Sequence, residues 1–119
     1  MKKLFILLLG VFLLSGCSSD DNDGLITYMD AKEKIINNGA IVVDVRTEAE
    51  YNEKHIDGAE LLTLDAIDEE AVANIVESKD TPIIVYCQSG NRSSQALVKL
   101  EALGYTEVYD LGSINNWEE

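Results

Sequence analysis

The chain has 119 residues, two cysteines, one histidine and a formal charge of −13 at pH 7. This length is enough for one domain. The strongly negative charge argues against nucleic acid as a partner, because an acidic surface repels a phosphate backbone. Nothing in the sequence indicates an oligomeric state.

The start of the chain has the features of an export signal. Lys2 and Lys3 are followed by an almost unbroken apolar run at residues 4–14, and small residues then precede Cys17. The run is shorter than the ~20 residues that a membrane-spanning helix needs. Leu-Ser-Gly-Cys resembles the lipobox of bacterial lipoproteins, which implies a signal peptide at residues 1–16 and lipidation of Cys17. The alternative is an ordinary signal peptide with a chance cysteine.

A lipidated Cys17 implies a protein that is anchored to the membrane and does not span it. Residues 17–24 continue with Ser-Ser-Asp-Asp-Asn-Asp-Gly, which predicts a flexible tether. Residues 25–119 are then the folded domain. The resemblance to lipoproteins implies an exported protein held by its lipid at the bacterial cell envelope, in the periplasm or on the outer face.

The first part of the domain alternates between strand and helix patterns. Leu25-Ile26-Thr27 predicts a short strand, and residues 30–38 have apolar side chains at helical spacing, with Gly39 as the stop. Residues 40–45 form a β-branched run, which is typical of a strand buried on both faces. Thr47-Glu48-Ala49-Glu50 fits a capping box and predicts the start of a short helix.

The second part repeats the alternation after a turn at Asp57-Gly58. The predicted elements are a strand at 60–64, a helix at 65–77, a buried strand at 83–87, a helix at 92–103 and a short strand at 107–109. Strands alternating with helices predict an α/β domain with a mostly parallel sheet, and right-handed crossovers place helices on both faces.

Ligands bind at the carboxyl ends of the strands in such sheets. Two polar clusters occupy that place: Asp44-Val45-Arg46 after one buried strand, and residues 87–92 after the other. We interpret Asp44 and Arg46 as a structural ion pair that fixes nearby loops.

Cys87 ends its strand directly before a turn and a helix. Such a turn points successive backbone N–H groups into one concavity, and the positive end of the helix faces the same point. Gly90 permits a positive φ, and Arg92 adds a full positive charge. Each feature favours the thiolate, which is the nucleophilic form of cysteine. We therefore interpret Cys87 as a reactive thiol; the alternative is a core cysteine, which is common in proteins.

Other cysteine chemistries lack partners in this sequence. With Cys17 lipidated, Cys87 has no disulfide partner, and without Cys-x-x-Cys it has no resolving thiol. His55 lies between a helix and a turn and is interpreted as structural, so a Cys-His hydrolase pair is not favoured. One cysteine and one histidine are too few for the usual zinc sets, and we predict no metal and no cofactor. Cysteine phosphatases use Cys-x5-Arg, whereas Cys87 and Arg92 are spaced as Cys-x4-Arg, a tighter loop that suits a single sulfur atom.

Three segments together resemble the rhodanese-like family over residues 25–118. CQSGNRS at 87–93 resembles its active-site loop, and VVDVRTEAEYNEKHIDGAELL at 42–62 resembles its Asp-Val-Arg segment. LEALGYTEVYDLGSINNW at 100–117 resembles its closing segment, although Gly112-Ser113 stands where the family usually has Gly-Gly.

The resemblance implies about five parallel strands flanked by helices on both faces, and a sulfurtransferase. Cys87 would accept a sulfane sulfur from a small donor such as thiosulfate and pass it to cyanide or a thiol through a covalent persulfide. Arg92 would help to bind the anionic donor. The backbone N–H groups that would cradle the persulfide are those of Gln88, Ser89, Gly90, Asn91 and Arg92.

The same resemblance assigns other residues to the scaffold. Asp44, Arg46, Glu50 and His55 match positions that are structural in the family, and Trp117 is interpreted as a core anchor. The neutral loop side chains and the acidic surface favour a neutral donor or a partner protein over a dianion.

Two other functions stay open at this point. The first is a binding module with a rhodanese fold and no turnover, against which the intact Cys87 argues. The second, less favoured, is a cysteine-dependent phosphatase or arsenate reductase.

Overall fold

The computed structural model describes residues 24–118. The predicted signal peptide at 1–16, the predicted lipidation site Cys17 and all but the last residue of the predicted tether lie outside the described residues. Within residues 24–118, every helix is too short or too polar to cross a membrane.

The helices and strands alternate along the described chain. The helices are α1 Tyr28–Asn38, α2 Glu48–Glu53, α3 Glu69–Ala73 and α4 Asn91–Ala102, with 3-10 turns at Leu64–Ala66 and Ile114–Asn116. The strands are β1 Ile41–Asp44, β2 Glu60–Leu61, β3 Ile83–Cys87 and β4 Val108–Ser113. They form one parallel sheet in the order β2-β1-β3-β4, which confirms the predicted α/β architecture.

The sheet has four strands among the described residues, one fewer than the count of about five that the family resemblance implies. Leu25, in the predicted first strand, makes a single parallel bridge to Asp110. The segment extends no further because Thr27 already caps α1: its side chain accepts the N–H of Asp30 at 3.1 Å. Two residues are therefore all that is available for pairing with β4.

The connection between β2 and β3 also differs from the prediction. The strand expected at 60–64 is reduced to Glu60–Leu61, and the helix expected at 65–77 becomes a 3-10 turn followed by α3. The side chain of Asp68 accepts the N–H of Ala71 at 2.8 Å. This N-cap starts a new helix in the middle of the predicted one.

Helices cover both faces of the sheet, as predicted. All of β3 is buried, and its side chains alternate between the two faces. Val85 and Cys87 belong to a core cluster that includes Leu100 of α4, whereas Tyr86 belongs to the opposite cluster with Ala31 of α1. The sheet is thus the middle layer of three, with Cys87 on the α4 side.

A bulge in β4 brings its end beside the end of β3. Asp110 pairs with Val85 and Gly112 pairs with Tyr86, so Leu111 is the extra residue. Gly112 has φ +85°, and its N–H donates to Asp110 Oδ1 at 2.8 Å. Ser113 has extended backbone angles that any residue adopts, so a serine here in place of the family's glycine leaves the turn intact.

Candidate active site

The carboxyl ends of β1 and β3 carry the two polar clusters that the sequence indicates, and the two clusters are in contact. β1 ends at Asp44 and β3 ends at Cys87, and the two strands are hydrogen-bonded neighbours. Arg46 Nη1 donates to Gln88 Oε1 at 3.2 Å. The parallel sheet therefore brings two segments more than forty residues apart in sequence into one site.

The sulfur of Cys87 lies beneath the turn that follows β3, and the residue is fully buried. The backbone N–H of Gly90 donates to Sγ at 2.9 Å, and that of Ser93 donates at 3.3 Å. With the thiol protonated, Cys87 Sγ donates to the Ser93 hydroxyl oxygen at 3.6 Å, and that hydroxyl donates to the Gly90 carbonyl at 3.1 Å. When the thiol ionises, the hydroxyl is placed to turn its proton towards the sulfur. The sulfur thus faces a small shell of polar hydrogens.

The start of α4 supplies these donors. Gly90 caps the helix with φ +101°, a left-handed conformation that costs glycine little. The first N–H groups of a helix have no partner within it, and the one at Ser93 points instead at the sulfur. The positive end of the helix dipole is directed at the same point.

Two opposing effects set the pKa of the Cys87 thiol. Burial, the larger single effect, raises this pKa because it disfavours the thiolate. Hydrogen bonds from the hydroxyl and N–H of Ser93 lower it, as do those from the N–H groups of Gly90 and Ser89. Together these bonds outweigh burial, and the pKa of Cys87 lies below its ordinary value.

Arg92 forms an ion pair with Glu50 of α2. Arg92 Nη1 lies 2.8 Å from Glu50 Oε1, and Nη2 lies 3.0 Å from Oε2. Glu50 also accepts the backbone N–H of Thr47 at 3.0 Å in the predicted capping box. The hydrogen bond from Arg92 is the main reason that the pKa of Glu50 falls to about 2.

A buried network fixes the ends of β1 and β3. Arg46 Nη2 lies 2.7 Å from Asp44 Oδ2, and the two residues are 3% and 0% exposed. Tyr86 donates its hydroxyl proton to Asp44 Oδ2 at 2.6 Å and accepts the N–H of Ile56 at 3.1 Å. The hydrogen bond to Asp44 is also the main cause that raises the pKa of Arg46. This geometry supports the structural role assigned to Asp44 and Arg46.

The remaining predicted residues lie on the turn or apart from the sulfur. Gln88, Ser89 and Asn91 are exposed. His55 is exposed and stacks on Tyr51 with ring centroids 3.7 Å apart, in keeping with a structural role.

Trp117 packs against the core and meets Tyr28 edge to face at 4.9 Å, as expected of an anchor. Among residues 24–118, no group of three or more His, Cys, Asp or Glu side chains could hold a metal ion.

Two contacts at the site are not predicted by the sequence: that of Ser93 with the sulfur, and that of Glu50, assigned to the scaffold, with Arg92. Ser93 donates its N–H to the sulfur and accepts the thiol proton at its hydroxyl oxygen, and its position in the first turn of the helix is the signal that could have identified it. Glu50 pairs with Arg92 across 42 positions of sequence. The capping box places Glu50 at the start of α2, but no local pattern indicates its distant partner.

A groove of about 560 Å³ opens beside the turn. Its lining includes Ser89 and Gly90 of the turn and Gly112 and Ser113 of β4. Among the described residues of the lining, Asp110 is the charged one. The groove gives a small molecule a route to the loop that covers Cys87.

Comparison with known proteins identifies the family. The family model described as a rhodanese-like domain matches residues 27–119. The chain is 34% identical to the thiosulfate sulfurtransferase PspE of Escherichia coli (strain K12) over 74 residues, which cover 62% of this chain and 70% of that protein. It is 35% identical to the thiosulfate sulfurtransferase GlpE of Pseudomonas fluorescens (strain SBW25) over 82 residues, which cover 66% of this chain and 71% of that protein.

Solved structures give the same result. A rhodanese with anions from E. coli matches with a TM-score of 0.61 and 32% identity, covering 65% of this chain and 89% of that one. The BH2092 protein from Bacillus halodurans matches with a TM-score of 0.69 and 31% identity, covering 80% of this chain and 71% of that one. The chain therefore belongs to the rhodanese-like domain family and is a sulfurtransferase of the rhodanese type.

Proposed function

We propose that the chain moves a sulfane sulfur from a donor such as thiosulfate to cyanide or a thiol through a persulfide on Cys87. The observation that carries this proposal is the pair of backbone N–H groups, from Gly90 and Ser93, that donate to Sγ. They favour a thiolate at a buried position where burial alone would favour the neutral thiol. The relatives named thiosulfate sulfurtransferases support the choice of donor.

In the first step, the Cys87 thiolate attacks the outer sulfur of thiosulfate. The S–S bond of the donor breaks, its electron pair leaves with sulfite, and the enzyme holds Cys87–S–S⁻. The terminal sulfur carries the negative charge, and the N–H groups of residues 88–92 are the donors available to stabilise it. This assigns Gln88, Ser89, Gly90, Asn91 and Arg92 to the persulfide cradle through their backbone.

In the second step, a nucleophilic acceptor attacks the terminal sulfur. A cyanide acceptor is released as thiocyanate, and a thiolate acceptor is released as a persulfide. The electron pair of the broken S–S bond returns to Cys87, which becomes a thiolate again. Atoms and electrons balance without an added oxidant, reductant or metal. The cycle follows ping-pong kinetics, because the first product leaves before the acceptor reacts.

Thiocyanate formation from thiosulfate and cyanide tests the proposal. We expect parallel double-reciprocal lines for the wild type and no activity above background for Cys87→Ser. Glu101→Gln, an exposed change elsewhere on α4, serves as the control and retains wild-type rates. Undiminished activity in Cys87→Ser would contradict the assignment of the nucleophile.

The two alternative functions predict different results. A binding module without turnover leaves Cys87 unreactive towards iodoacetamide at neutral pH. A cysteine-dependent phosphatase or arsenate reductase hydrolyses p-nitrophenyl phosphate or reduces arsenate, and loses that activity in Cys87→Ser.

We also propose that Cys17 carries a lipid that holds the domain at the bacterial cell envelope, with residues 18–24 as the tether. The apolar run after Lys2 and Lys3 and the Leu-Ser-Gly-Cys sequence support this proposal. In cell fractionation, we expect the full chain in the membrane fraction and released by detergent. Cys17→Ala should move it to the soluble fraction, and an unchanged distribution would contradict the anchor.

A further inference from the structure

We propose that Glu50 determines which charge class of sulfur donor the enzyme prefers. It holds Arg92 in an ion pair and so withholds that cation from dianionic donors. The inference rests on the proposed sulfur transfer and names Glu50 as a specificity-determining residue for it. Donors that carry less negative charge than thiosulfate are then the preferred class.

The pair with Glu50 occupies the Nη1–Nη2 edge of the Arg92 guanidinium. Both terminal nitrogens of its guanidinium bind the two carboxylate oxygens of Glu50, at 2.8 and 3.0 Å. This two-point arrangement is the one in which a guanidinium also binds an oxyanion. A donor such as thiosulfate therefore competes with Glu50 for the same face of Arg92.

The capping box at the start of α2 fixes Glu50 in place. Its Oε1 accepts the N–H and the hydroxyl of Thr47, each at 3.0 Å, and the Thr47 hydroxyl oxygen accepts the N–H of Glu50 at 3.2 Å. A surface carboxylate usually moves freely, but this one is bonded to its own helix at one side and to Arg92 at the other. Displacing it costs the cap as well as the ion pair.

The pair is reachable from solvent, with side chains 32% exposed for Arg92 and 30% exposed for Glu50. Its charges cancel, and the thiolate of Cys87 adds one negative charge nearby. Arg46 is also unavailable to a donor, because it is buried in an ion pair with Asp44. Among these described groups a dianion thus meets no uncompensated side-chain cation, and the backbone N–H groups of the turn are what attract it.

Mild acid does not release Arg92 from Glu50. The hydrogen bond from Arg92, the largest cause, holds the pKa of Glu50 at about 2. The carboxylate therefore stays charged near neutral pH. A change of the residue, rather than a change of pH near neutrality, frees the cation.

Glu50→Gln is the direct test, because glutamine keeps the capping box and the shape of the side chain while removing its charge. The two probes are thiosulfate, which is a dianion, and benzenethiosulfonate, which is a monoanion. After giving up one sulfur, thiosulfate leaves as sulfite and benzenethiosulfonate leaves as benzenesulfinate. With cyanide as acceptor, we expect the ratio of kcat/KM for thiosulfate to that for benzenethiosulfonate to rise about tenfold, the scale of one partly screened unit charge.

Glu53→Gln is the matched control, since it removes one negative charge from an exposed position on the same helix. We expect it to change the donor ratio by less than twofold. The double variant Glu50→Gln/Arg92→Gln replaces the ion pair with a neutral pair, and we expect it to keep the wild-type ratio. If Arg92 binds the dianion in the wild type, the double variant instead loses activity with thiosulfate but not with benzenethiosulfonate.

The outcomes separate this inference from the proposed function. Two results overturn the role of Glu50 alone. In the first, the wild type is active but Glu50→Gln leaves the donor ratio unchanged. In the second, the double variant loses activity with thiosulfate but not with benzenethiosulfonate. A wild type that forms no thiocyanate from either donor overturns the sulfur transfer and the inference with it.

Discussion

The sulfur of Cys87 is subject to two opposing effects at the scale of single residues. Burial favours the neutral thiol, whereas hydrogen bonds from Gly90 and Ser93 favour the thiolate. The bonds prevail, because two backbone N–H groups lie within 3.3 Å of Sγ and are held there by the start of a helix. The lowered pKa increases the thiolate fraction of Cys87 at a given pH without a histidine beside it.

Ser93→Ala tests this balance. Loss of the hydroxyl removes one contact that lowers the pKa of Cys87, so we expect this pKa to rise. The measurement is the rate of alkylation by iodoacetamide as a function of pH. In the wild type this rate stays high above the lowered pKa and falls as the pH drops below it, and in Ser93→Ala the fall moves to higher pH.

Ser94→Ala is the control for that measurement. Ser94 is exposed and donates its hydroxyl to the carbonyl of Asn91 at 2.8 Å. We expect its alkylation profile to match that of the wild type. The same midpoint in Ser93→Ala and Ser94→Ala would show that the hydroxyl of Ser93 has no part in lowering the pKa of Cys87.

At the scale of elements, the turn between β3 and α4 positions the donors. Gly90 occupies it with φ +101°, which residues with a Cβ rarely adopt. A Cβ at Gly90 would lie 3.7 Å from the Cα of Gly112, an ordinary contact, so space is not the limit. The backbone conformation is what requires glycine here.

Gly90→Ala and Gly58→Ala form a matched pair. Gly58 has φ +86°, and a Cβ there meets nothing within 4 Å. Each substitution should lower the free energy of unfolding by about 1–2 kcal/mol, measured by urea denaturation, because each imposes the same backbone strain. Only Gly90→Ala should also reduce sulfur transfer, since Gly90, unlike Gly58, donates its N–H to the sulfur. Equal activity in the two variants would contradict the role of the turn.

At the scale of the whole molecule, the buried pair of Asp44 and Arg46 joins segments that are distant in sequence. Tyr86 of β3 donates to Asp44 of β1, and Arg46 donates to the carbonyl of Lys54 at 2.6 Å and to the side chain of Gln88. The sheet, the segment after α2 and the active-site turn thus share one polar network. Its integrity matters for stability and for the shape of the site.

Asp44→Ala leaves the charge of Arg46 buried without its partner. We expect the free energy of unfolding to fall by about 3–5 kcal/mol, measured by urea denaturation. Glu69→Ala is the comparison. The Glu69 side chain is 74% exposed, and its Oε2 lies 3.6 Å from Lys79 Nζ in a surface ion pair. That change should cost less than about 1 kcal/mol. Equal losses in the two variants would show that burial does not govern the contribution of the Asp44–Arg46 pair.

The sequence predicts the layered fold well because two β-branched runs and the helical spacing of apolar residues are local signals. It also predicts the place of Cys87 at the end of a buried strand and the glycine turn after it, since both depend on the order of strand, turn and helix. The predicted helix at 65–77 is wrong, because the N-cap at Asp68 starts a new helix within that range. The pair of Glu50 and Arg92 could not be predicted, because it depends on how α2 and α4 lie relative to each other.

The central claim is that Cys87 carries the transferred sulfur, and intact mass spectrometry tests it most directly. The chain from residue 18 onward is incubated with thiosulfate beside the same chain with Cys87→Ser. We predict a gain of one sulfur atom, about 32 Da, that cyanide reverses and that the variant lacks. No adduct with thiosulfate or with a polysulfide donor, or the same adduct in Cys87→Ser, would contradict the account.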